Sequence, residues 1–293
     1  MANPTKRLTT NVTGNFYVDS TCINCDTCRQ LAPRSFEEVG DYSAVLYQPD
    51  GDQQVHQAYQ ALLACPVGSI GAEHSDQLRM KEAMASFPLQ LEDEVSYCGF
   101  NSEKSFGANS FFIEHPDGNW LVDSPRYLKH LVHAFEQKGG IAYIFLTHKD
   151  DVADAEKYAA HFGAKRMIHR ADIEAAPDAE WIIEGADSLQ VMPQFQIIPV
   201  PGHTAGSMAL LYKSRFLFTG DHLWWDSVQK RLSAPSQLVW RKHVLIDSIK
   251  KLLDHPFEWV LAGHGDRTRL PAEEMRAHLR ALVERRQPGN VIP

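Results

Sequence analysis

The sequence lacks any long apolar run and any tract rich in lysine and arginine. No apolar stretch approaches the roughly 18 residues of a membrane span, so we expect no membrane segment. The net charge of −8 also argues against a duplex nucleic acid, because binding one requires a basic face. We therefore expect neither a membrane nor a nucleic acid as partner.

Cysteine is scarce as well, with five in 293 residues. Four of the five share one spacing pattern, and with only Cys98 left over the sequence offers no disulfide framework. The first twenty residues contain no apolar core of the kind found in a secretory signal. Both absences predict a cytoplasmic location.

The four patterned cysteines are spaced as ligands of an iron–sulfur cluster. Cys22, Cys25 and Cys28 recur every third residue, and the remote Cys65 directly precedes a proline. A [4Fe–4S] cluster needs four thiolates, and in the two-cluster run C-x2-C-x2-C-x3-C-P the fourth cysteine ligates the second cluster. Ala32 takes that place here, so the spacing predicts one cluster. A structural zinc site usually has two separated Cys/His pairs, which this spacing does not match.

The chain divides into two expected domains, because a single core rarely grows beyond about 250 residues. Residues 15–75 form a small α+β pattern that resembles the single-cluster bacterial ferredoxins, including the stretch Cys65-Pro66-Val67-Gly68-Ser69-Ile70. We expect a ferredoxin-like domain over 1–75. Residues 76–95 are charged, lack strong periodicity and contain Pro88, which predicts a linker. The second domain would then occupy 96–293.

In this second part, short apolar strands alternate with helical stretches, as in a layered α/β domain. The predicted strands are 110–113, 120–122, 143–146, 196–198, 216–218 and 259–261, and the predicted helices are 240–253 and 275–286. Loops just past buried strands are where active sites are usually built.

Metal-type side chains follow four of these strands. They are His148, His203, Asp221 and His264, each near a Gly, Pro or Thr. A lone histidine at a strand end is more often a satisfied polar residue than a ligand. Three histidines and an aspartate in the same kind of position favour a metal site instead.

The order of these motifs resembles the metallo-β-lactamase superfamily, which includes glyoxalase II, lactonases, flavodiiron proteins and persulfide dioxygenases. The resemblance covers about 100–270 and opens with Asn109-Ser110-Phe111-Phe112-Ile113 and Leu121-Val122-Asp123-Ser124. It implies a metal site at one edge of two sheets. The expected fold is thus an α+β ferredoxin-like domain followed by a four-layer αβ/βα metallo-β-lactamase-fold sandwich.

The first ligand loop departs from the family pattern Thr-His-x-His-x-Asp-His. An ungapped alignment places Asp150 at the second His, Val152 at the Asp and Ala153 at the final His. A gapped alignment places Asp154 at the Asp, but Ala155 still replaces the His. Valine and alanine cannot bind a metal, so these positions lose ligands.

The second metal position thus keeps only His264 and a shared bond to Asp221, and we expect one metal ion. His148, His203 and Asp221 remain as two imidazoles and a carboxylate, the facial triad of non-haem iron sites. Persulfide dioxygenases of the superfamily resemble this by using the equivalent residues for a single iron. Zinc also binds in three-ligand sites with an open position, so the ion is Fe, which we favour, or Zn.

Four further residues near these motifs have open roles. Asp150 and His264 are candidates to move protons during catalysis. Asp150 and Asp151 fit a metal ligand and a proton shuttle as well as they fit solvated loop residues or helix caps. His222, directly after Asp221, fits a structural role better than a ligand role.

These patterns favour an oxidoreductase that passes single electrons between the cluster and the metal. A small molecule would be the substrate, and a redox partner protein would suit the cluster domain. The first alternative is a hydrolase of a thioester, lactone or phosphoester, in which the cluster senses redox state or stabilises the fold. The second is a binding or electron-carrier protein whose metal site has lost its chemistry.

Replacing Cys65 with Ala should abolish most cluster binding, because no other remote thiolate is available for the fourth iron. Cys98→Ala is the matched control and should keep the cluster. The measurement is iron and sulfide content per chain, together with visible absorbance, after anaerobic purification. A full complement in Cys65→Ala would refute the assignment.

Overall fold

The computed structural model describes residues 2–286 of the chain. Contacts divide the chain into two compact units. The first combines residues 1–119 with 124–141, and the second combines 120–123 with 142–293.

The first unit contains short strands and four helices. Its strands are β1 (Phe16–Val18), β2 (Phe36–Val39), β3 (Tyr42–Val45), β4 (Ile70–Ala72), β5 (Leu89–Glu92), β6 (Val95–Tyr97) and β7 (Phe111–Ile113). Its helices are α1 (Thr27–Leu31), α2 (Asp52–Ala64), α3 (Gln77–Ala85) and α4 (Lys129–Gln137).

The cysteine-bearing part of this unit is built from two small antiparallel pairs and two helices. Strand β1 pairs with β4, and β2 pairs with β3 across a turn in which Gly40 has a φ of 62°. Helix α2 packs on α1 and buries small and aromatic side chains, among them Ala61 and Tyr59. Cys65 is the C-cap residue of α2, so this helix sets its position.

Residues 76–95, which we expected to be a linker, form regular structure. Helix α3 begins after Asp76, whose side chain accepts hydrogen bonds from the next turn, as an N-cap does. Strand β5 pairs with β6, and β6 with β7, all antiparallel. These elements belong to the first unit by contact. The expected bounds of 1–75, 76–95 and 96–293 stay a prediction.

The second unit holds the remaining strands and helices. Its strands are β8 (Trp120–Val122), β9 (Tyr143–Phe145), β10 (Lys165–His169), β11 (Trp181–Ile183), β12 (Leu189–Met192), β13 (Phe195–Pro199), β14 (Met208–Tyr212), β15 (Phe216–Gly220), β16 (Trp224–Asp226), β17 (Arg231–Ser233), β18 (Trp259–Ala262) and β19 (Thr268–Arg269). Its helices are α5 (Ala155–Phe162), α6 (Lys242–Lys251) and α7 (Ala272–Arg286).

Two sheets organise this unit. Strands β8 to β11 pair in parallel, in the order β11-β10-β9-β8. The other sheet runs β12-β13-β14-β15-β18-β19, antiparallel except for the parallel pair of β15 and β18. All residues of β14 and β15 are buried, because these strands are covered on both faces.

The side chains between and outside the sheets give a layered arrangement. Trp120 of β8 stacks on Phe195 of β13 with ring centroids 4.3 Å apart, which joins the two sheets face to face. Leu245 of α6 and Met275 of α7 belong to the buried cluster on the second sheet. Helix α5 contacts β10 of the first sheet. The order is therefore helix, sheet, sheet and helices, as the sequence predicted.

The six predicted strands and both predicted helices of this part of the chain are present, with bounds that differ by at most three residues. The four metal-type residues lie in loops past their strands. His148 follows β9, His203 lies between β13 and β14, Asp221 follows β15, and His264 follows β18. Within residues 2–286, no helix combines the length and apolar character needed to cross a membrane.

Candidate cluster and metal sites

The four patterned cysteines line a single cavity in the first unit. Cys22 and Cys25 are half-buried, whereas Cys28 and Cys65 are buried. The cavity wall is otherwise mostly apolar, with Val18, Ile23, Pro66, Val67 and Ile70. The structure thus brings together all four cysteines that the sequence singled out.

The loop between the cysteines bends at two residues in the left-handed region. Asn24 has a φ of 57° and Asp26 a φ of 63°. Asn and Asp visit this region more readily than most residues, because their short polar side chains can hydrogen-bond locally. These bends alternate with the cysteines and wrap the loop around the cavity.

Each sulfur has a hydrogen-bond donor beside it. The Asn24 N–H donates to Cys22 Sγ at 3.4 Å. The hydroxyls that face the other three sulfurs belong to Thr27 (Cys25), Ser43 (Cys28) and Ser69 (Cys65).

Burial raises the pKa of the Cys25 thiol to about 11, although hydrogen bonds from Thr27 work in the opposite direction. Burial raises the pKa of Cys28 even more. Deprotonating such thiols requires compensating positive charge in the cavity, and iron supplies it. The donor set and the cavity therefore fit a [4Fe–4S] cluster held by Cys22, Cys25, Cys28 and Cys65.

Residues far along the sequence complete the surroundings of these cysteines. A Cβ placed on Gly107, which has a φ of 89°, would lie 2.7 Å from Cys25 Cβ and 2.9 Å from Cys25 Sγ. The Arg126 guanidinium donates to the carbonyls of Leu63 and Cys65 at 2.9 and 3.3 Å. Neither Gly107 nor Arg126 belongs to a sequence motif, so the sequence does not point to them.

In the second unit, His148, His203 and Asp221 place their ligand atoms within 4.8 Å of one another. The Nε2 atoms of both histidines lie 3.7 Å from Asp221 Oδ2. Asp150 Oδ2 lies 3.4 Å from His203 Nε2 and 3.8 Å from His148 Nε2. Among the described residues, His148 Nε2 and both ring nitrogens of His203 have no hydrogen-bond partner, although they are buried. Such atoms indicate a missing ligand.

A second group shares Asp221 with the first. Asp151, Asp221 and His264 also place ligand atoms within 4.8 Å of one another, and His264 Nδ1 lies 2.7 Å from Asp221 Oδ1. Asp151 is 1% exposed, and its carboxylate oxygens accept no hydrogen bond from the residues described. From the sequence, only His264 and Asp221 are predicted at this second metal position. The 3-10 turn Lys149–Asp151 after His148 adds Asp151 as a third candidate ligand.

Two other residues lie outside both groups. Asp154, the candidate of the gapped alignment, forms an ion pair with Lys157 at 3.0 Å. His222 is fully buried, and burial lowers its pKa to about 3. His222 does not place a ring nitrogen within either ligand group.

The electrostatics of these groups suit a cation. Burial opposes ionisation of Asp221, but His264 and the two other histidines hold its pKa well below the usual range. Burial lowers the pKa of His148, which keeps the imidazole neutral and able to coordinate. Burial, and then the Asp221 charge, raise the pKa of Asp151, so its ionised form needs a positive charge nearby.

Hydrogen bonds behind the ligands orient them. The Thr147 hydroxyl donates to Asp123 Oδ2 at 2.9 Å and lies 3.0 Å from His148 Nδ1. Since its one hydrogen goes to Asp123, its oxygen accepts from His148 Nδ1–H, which leaves Nε2 free for a metal. Burial raises the pKa of Asp123 to about 8, while its Thr147 hydrogen bonds lower it.

The loops that carry His148 and His203 are joined by Asp172, a buried residue. Its carboxylate accepts from the Lys149 N–H at 3.1 Å and from the Gly206 N–H at 3.0 Å. It also accepts from the Thr204 hydroxyl at 2.5 Å. One carboxylate therefore sets the spacing of two ligand loops.

Gly107→Ala should lower cluster content, because the new methyl group would collide with Cys25 and the backbone would keep a positive φ, which costs about 1–2 kcal/mol. Gly40→Ala is the matched control, since it has a φ of 62° but open space around the new Cβ. Iron and sulfide content should fall in the first variant only. Equal iron and sulfide content in the two variants would mean that a methyl group at position 107 fits beside Cys25.

Comparisons with known proteins agree with this geometry. A family model described as the 4Fe-4S single cluster domain of ferredoxin I matches residues 18–72, and a metallo-beta-lactamase superfamily model matches residues 87–271. The uncharacterized protein YobT of Bacillus subtilis (strain 168) is 27% identical over 213 residues, covering 58% of this chain and 88% of YobT.

Among solved structures, a metallo-beta-lactamase from Hirschia baltica aligns with a TM-score of 0.52 and 15% identity, over 67% of this chain and 96% of that one. The DIM-1 metallo-beta-lactamase aligns with a TM-score of 0.51 and 17% identity, over 68% and 96%. At such identities the likeness concerns the fold alone. Together with the family models, it establishes that this chain belongs to the metallo-β-lactamase superfamily and carries a single-cluster [4Fe–4S] ferredoxin domain ahead of that fold.

Proposed function

We propose that this protein is an iron–sulfur oxidoreductase in which a [4Fe–4S] cluster exchanges single electrons with one metal ion, iron, in the metallo-β-lactamase domain. The observation that carries the proposal is the donor set of the first ligand group. Two imidazoles and Asp221 are joined there by a second carboxylate, Asp150, 3.4 Å from His203 Nε2. Imidazole with carboxylate suits non-haem iron, whereas the cysteine-rich sets of structural zinc sites are absent from this group.

The roles of the chain's own residues follow from their exposure. His148, His203 and Asp221 would hold the ion, which when bound supplies open positions for a small substrate or dioxygen. Asp150 is 56% exposed and lies beside both imidazoles, so it can carry protons between solvent and the site. His264 holds Asp221 in place through Nδ1, at 2.7 and 2.9 Å from its two oxygens.

A cluster in the same chain supports electron transfer over hydrolysis, because hydrolysis requires no electron path. A cytoplasmic location would keep the cluster cysteines reduced, as binding of a cluster requires. The expected partners are a small-molecule substrate and a redox protein that exchanges electrons with the cluster.

One observation favours a second candidate, a metal-dependent hydrolase. The two ligand groups share Asp221, and hydrolytic sites with two metals often place a carboxylate between the ions. In that case the cluster would sense redox state or stabilise the fold. The two candidate functions differ in the number of metal ions and in whether the cluster exchanges electrons with a metal ion.

Metal analysis of anaerobically purified protein should find one iron beyond the four of the cluster. Asp151→Asn should keep this fifth iron, because Asp151 belongs only to the second group. A well-occupied second ion that disappears in Asp151→Asn would contradict the single-metal prediction and favour the hydrolase. Zinc in place of the fifth iron would contradict the assignment of the ion as iron and favour the hydrolase.

Asp221→Asn should weaken metal binding, because an amide lacks the charge of the carboxylate, while the cluster stays in place. If the metal accepts electrons from the cluster, the reduced cluster should then reoxidise markedly more slowly. Rapid-mixing absorbance measures this rate. The control is Asp187→Asn, an exposed residue of the same unit outside both ligand groups.

Reoxidation at the wild-type rate in Asp221→Asn, with every candidate acceptor tried, would overturn the oxidoreductase proposal. The hydrolase predicts that outcome together with loss of esterase-type turnover.

A further inference from the structure

The hydrogen-bond donors around the cluster cysteines form a pattern that the ligand spacing does not explain. Three of the four sulfurs face a side-chain hydroxyl, from Thr27, Ser43 or Ser69, and each of these residues is 1% exposed. A thiolate bound to iron has no proton to donate. Each hydroxyl must therefore be the donor once the cluster is held.

The direction of the Thr27 hydrogen bond is set by Asn101. The Asn101 Nδ2 donates to Thr27 Oγ1 at 3.0 Å, which occupies the hydroxyl oxygen as an acceptor. The hydroxyl hydrogen is then available to Cys25 Sγ, 3.4 Å away. The amide of Asn101 is itself held. The Tyr97 hydroxyl donates to its Oδ1 at 2.7 Å, and its Nδ2 also lies 2.7 Å from the Gly107 carbonyl and 3.1 Å from Asn109 Oδ1.

The same logic applies to Ser43. Arg29 Nη1 donates to Ser43 Oγ at 2.5 Å, and a guanidinium can only donate. The Ser43 hydrogen is thereby left for Cys28, the sulfur with which this hydroxyl forms a hydrogen bond. Arg29 is positioned in turn by Asn24 Oδ1, 2.6 Å from the same nitrogen.

Ser69 acts on the remote cysteine. Its hydroxyl lies 3.4 Å from Cys65 Sγ, and both side chains are buried. In a buried site this hydrogen bond is shielded from water and is correspondingly strong.

We propose that Thr27, Ser43 and Ser69 are positioning residues that donate hydrogen bonds to the cluster thiolates and raise the reduction potential of the cluster, with Asn101 and Arg29 directing two of these bonds. Reduction adds one electron, and hence one negative charge, to the cluster without forming or breaking a bond. Donors aimed at the sulfurs stabilise this more negative state, because they oppose its added charge. The inference rests on the cluster alone and holds whichever reaction the second unit catalyses.

The test is a redox titration of the cluster in the full chain, with dithionite as reductant and electron paramagnetic resonance of the reduced cluster as readout. Thr27→Val, Ser43→Ala and Ser69→Ala should each shift the potential to a more negative value, and the triple variant should shift it furthest. Thr27→Val keeps the size and shape of the side chain, so the cluster should remain bound. Thr27→Ser keeps the hydroxyl, so this variant should have the wild-type reduction potential.

Two further variants separate hydrogen bonding from a general effect of substitution. Ser20→Ala changes an exposed serine near the cysteine loop and should leave the potential unchanged. Asn101→Leu should shift the potential in the same direction as Thr27→Val, because the Thr27 hydroxyl loses its directing donor. Wild-type potentials in the three hydroxyl variants, each with full iron and sulfide content, would overturn the proposal. This titration does not involve the metal of the second unit, so its result is independent of the Asp221→Asn experiment.

Discussion

The ionised carboxylate of Asp221 is the centre on which the metal site depends. It is nearly buried, and three histidines around it hold its pKa well below the usual range despite the cost of burial. A buried negative charge requires compensation, and neutral imidazoles provide only part of it. A cation between His148, His203 and Asp221 would complete it. The surrounding hydrogen bonds serve this arrangement, since Thr147 fixes the tautomer of His148 and Asp172 spaces two of the loops.

The cluster site also has to compensate buried negative charge, which there lies on the cysteine thiolates. Buried thiols resist ionisation, as the raised pKa of Cys25 reflects, so the cavity needs iron on one side and hydrogen-bond donors on the other. One donor, Ser43, and the residue that directs the Thr27 hydroxyl, Asn101, come from parts of the chain outside the cysteine motif. Gly107 approaches Cys25 closely because it has no side chain. A residue with a Cβ could not stand there without displacing Cys25.

The sequence predicted the four cysteines, the layered second domain and its six strands, because spacing and apolar periodicity are local properties. It also identified His148, His203, Asp221 and His264 as one group, through their positions after strands. It did not predict strand β5, because the pairing of this strand depends on its partner β6. It left Asp151 open between a role in the site and a role as a loop residue, because an acidic pair after a strand has the same sequence pattern whether buried or solvated.

The sequence by itself determined which elements form and which chemistry is available: four thiolates at cluster spacing, and imidazoles and carboxylates at strand ends. Ligand type and local spacing depend on residues close together in the sequence, so these features can be predicted without a structure. Only the tertiary structure decided that Asp151 is buried beside Asp221, and that Asn101 and Gly107 stand against the cysteine loop. Burial and the direction of a hydrogen bond depend on chain segments far apart in sequence, and these meet only when the chain folds.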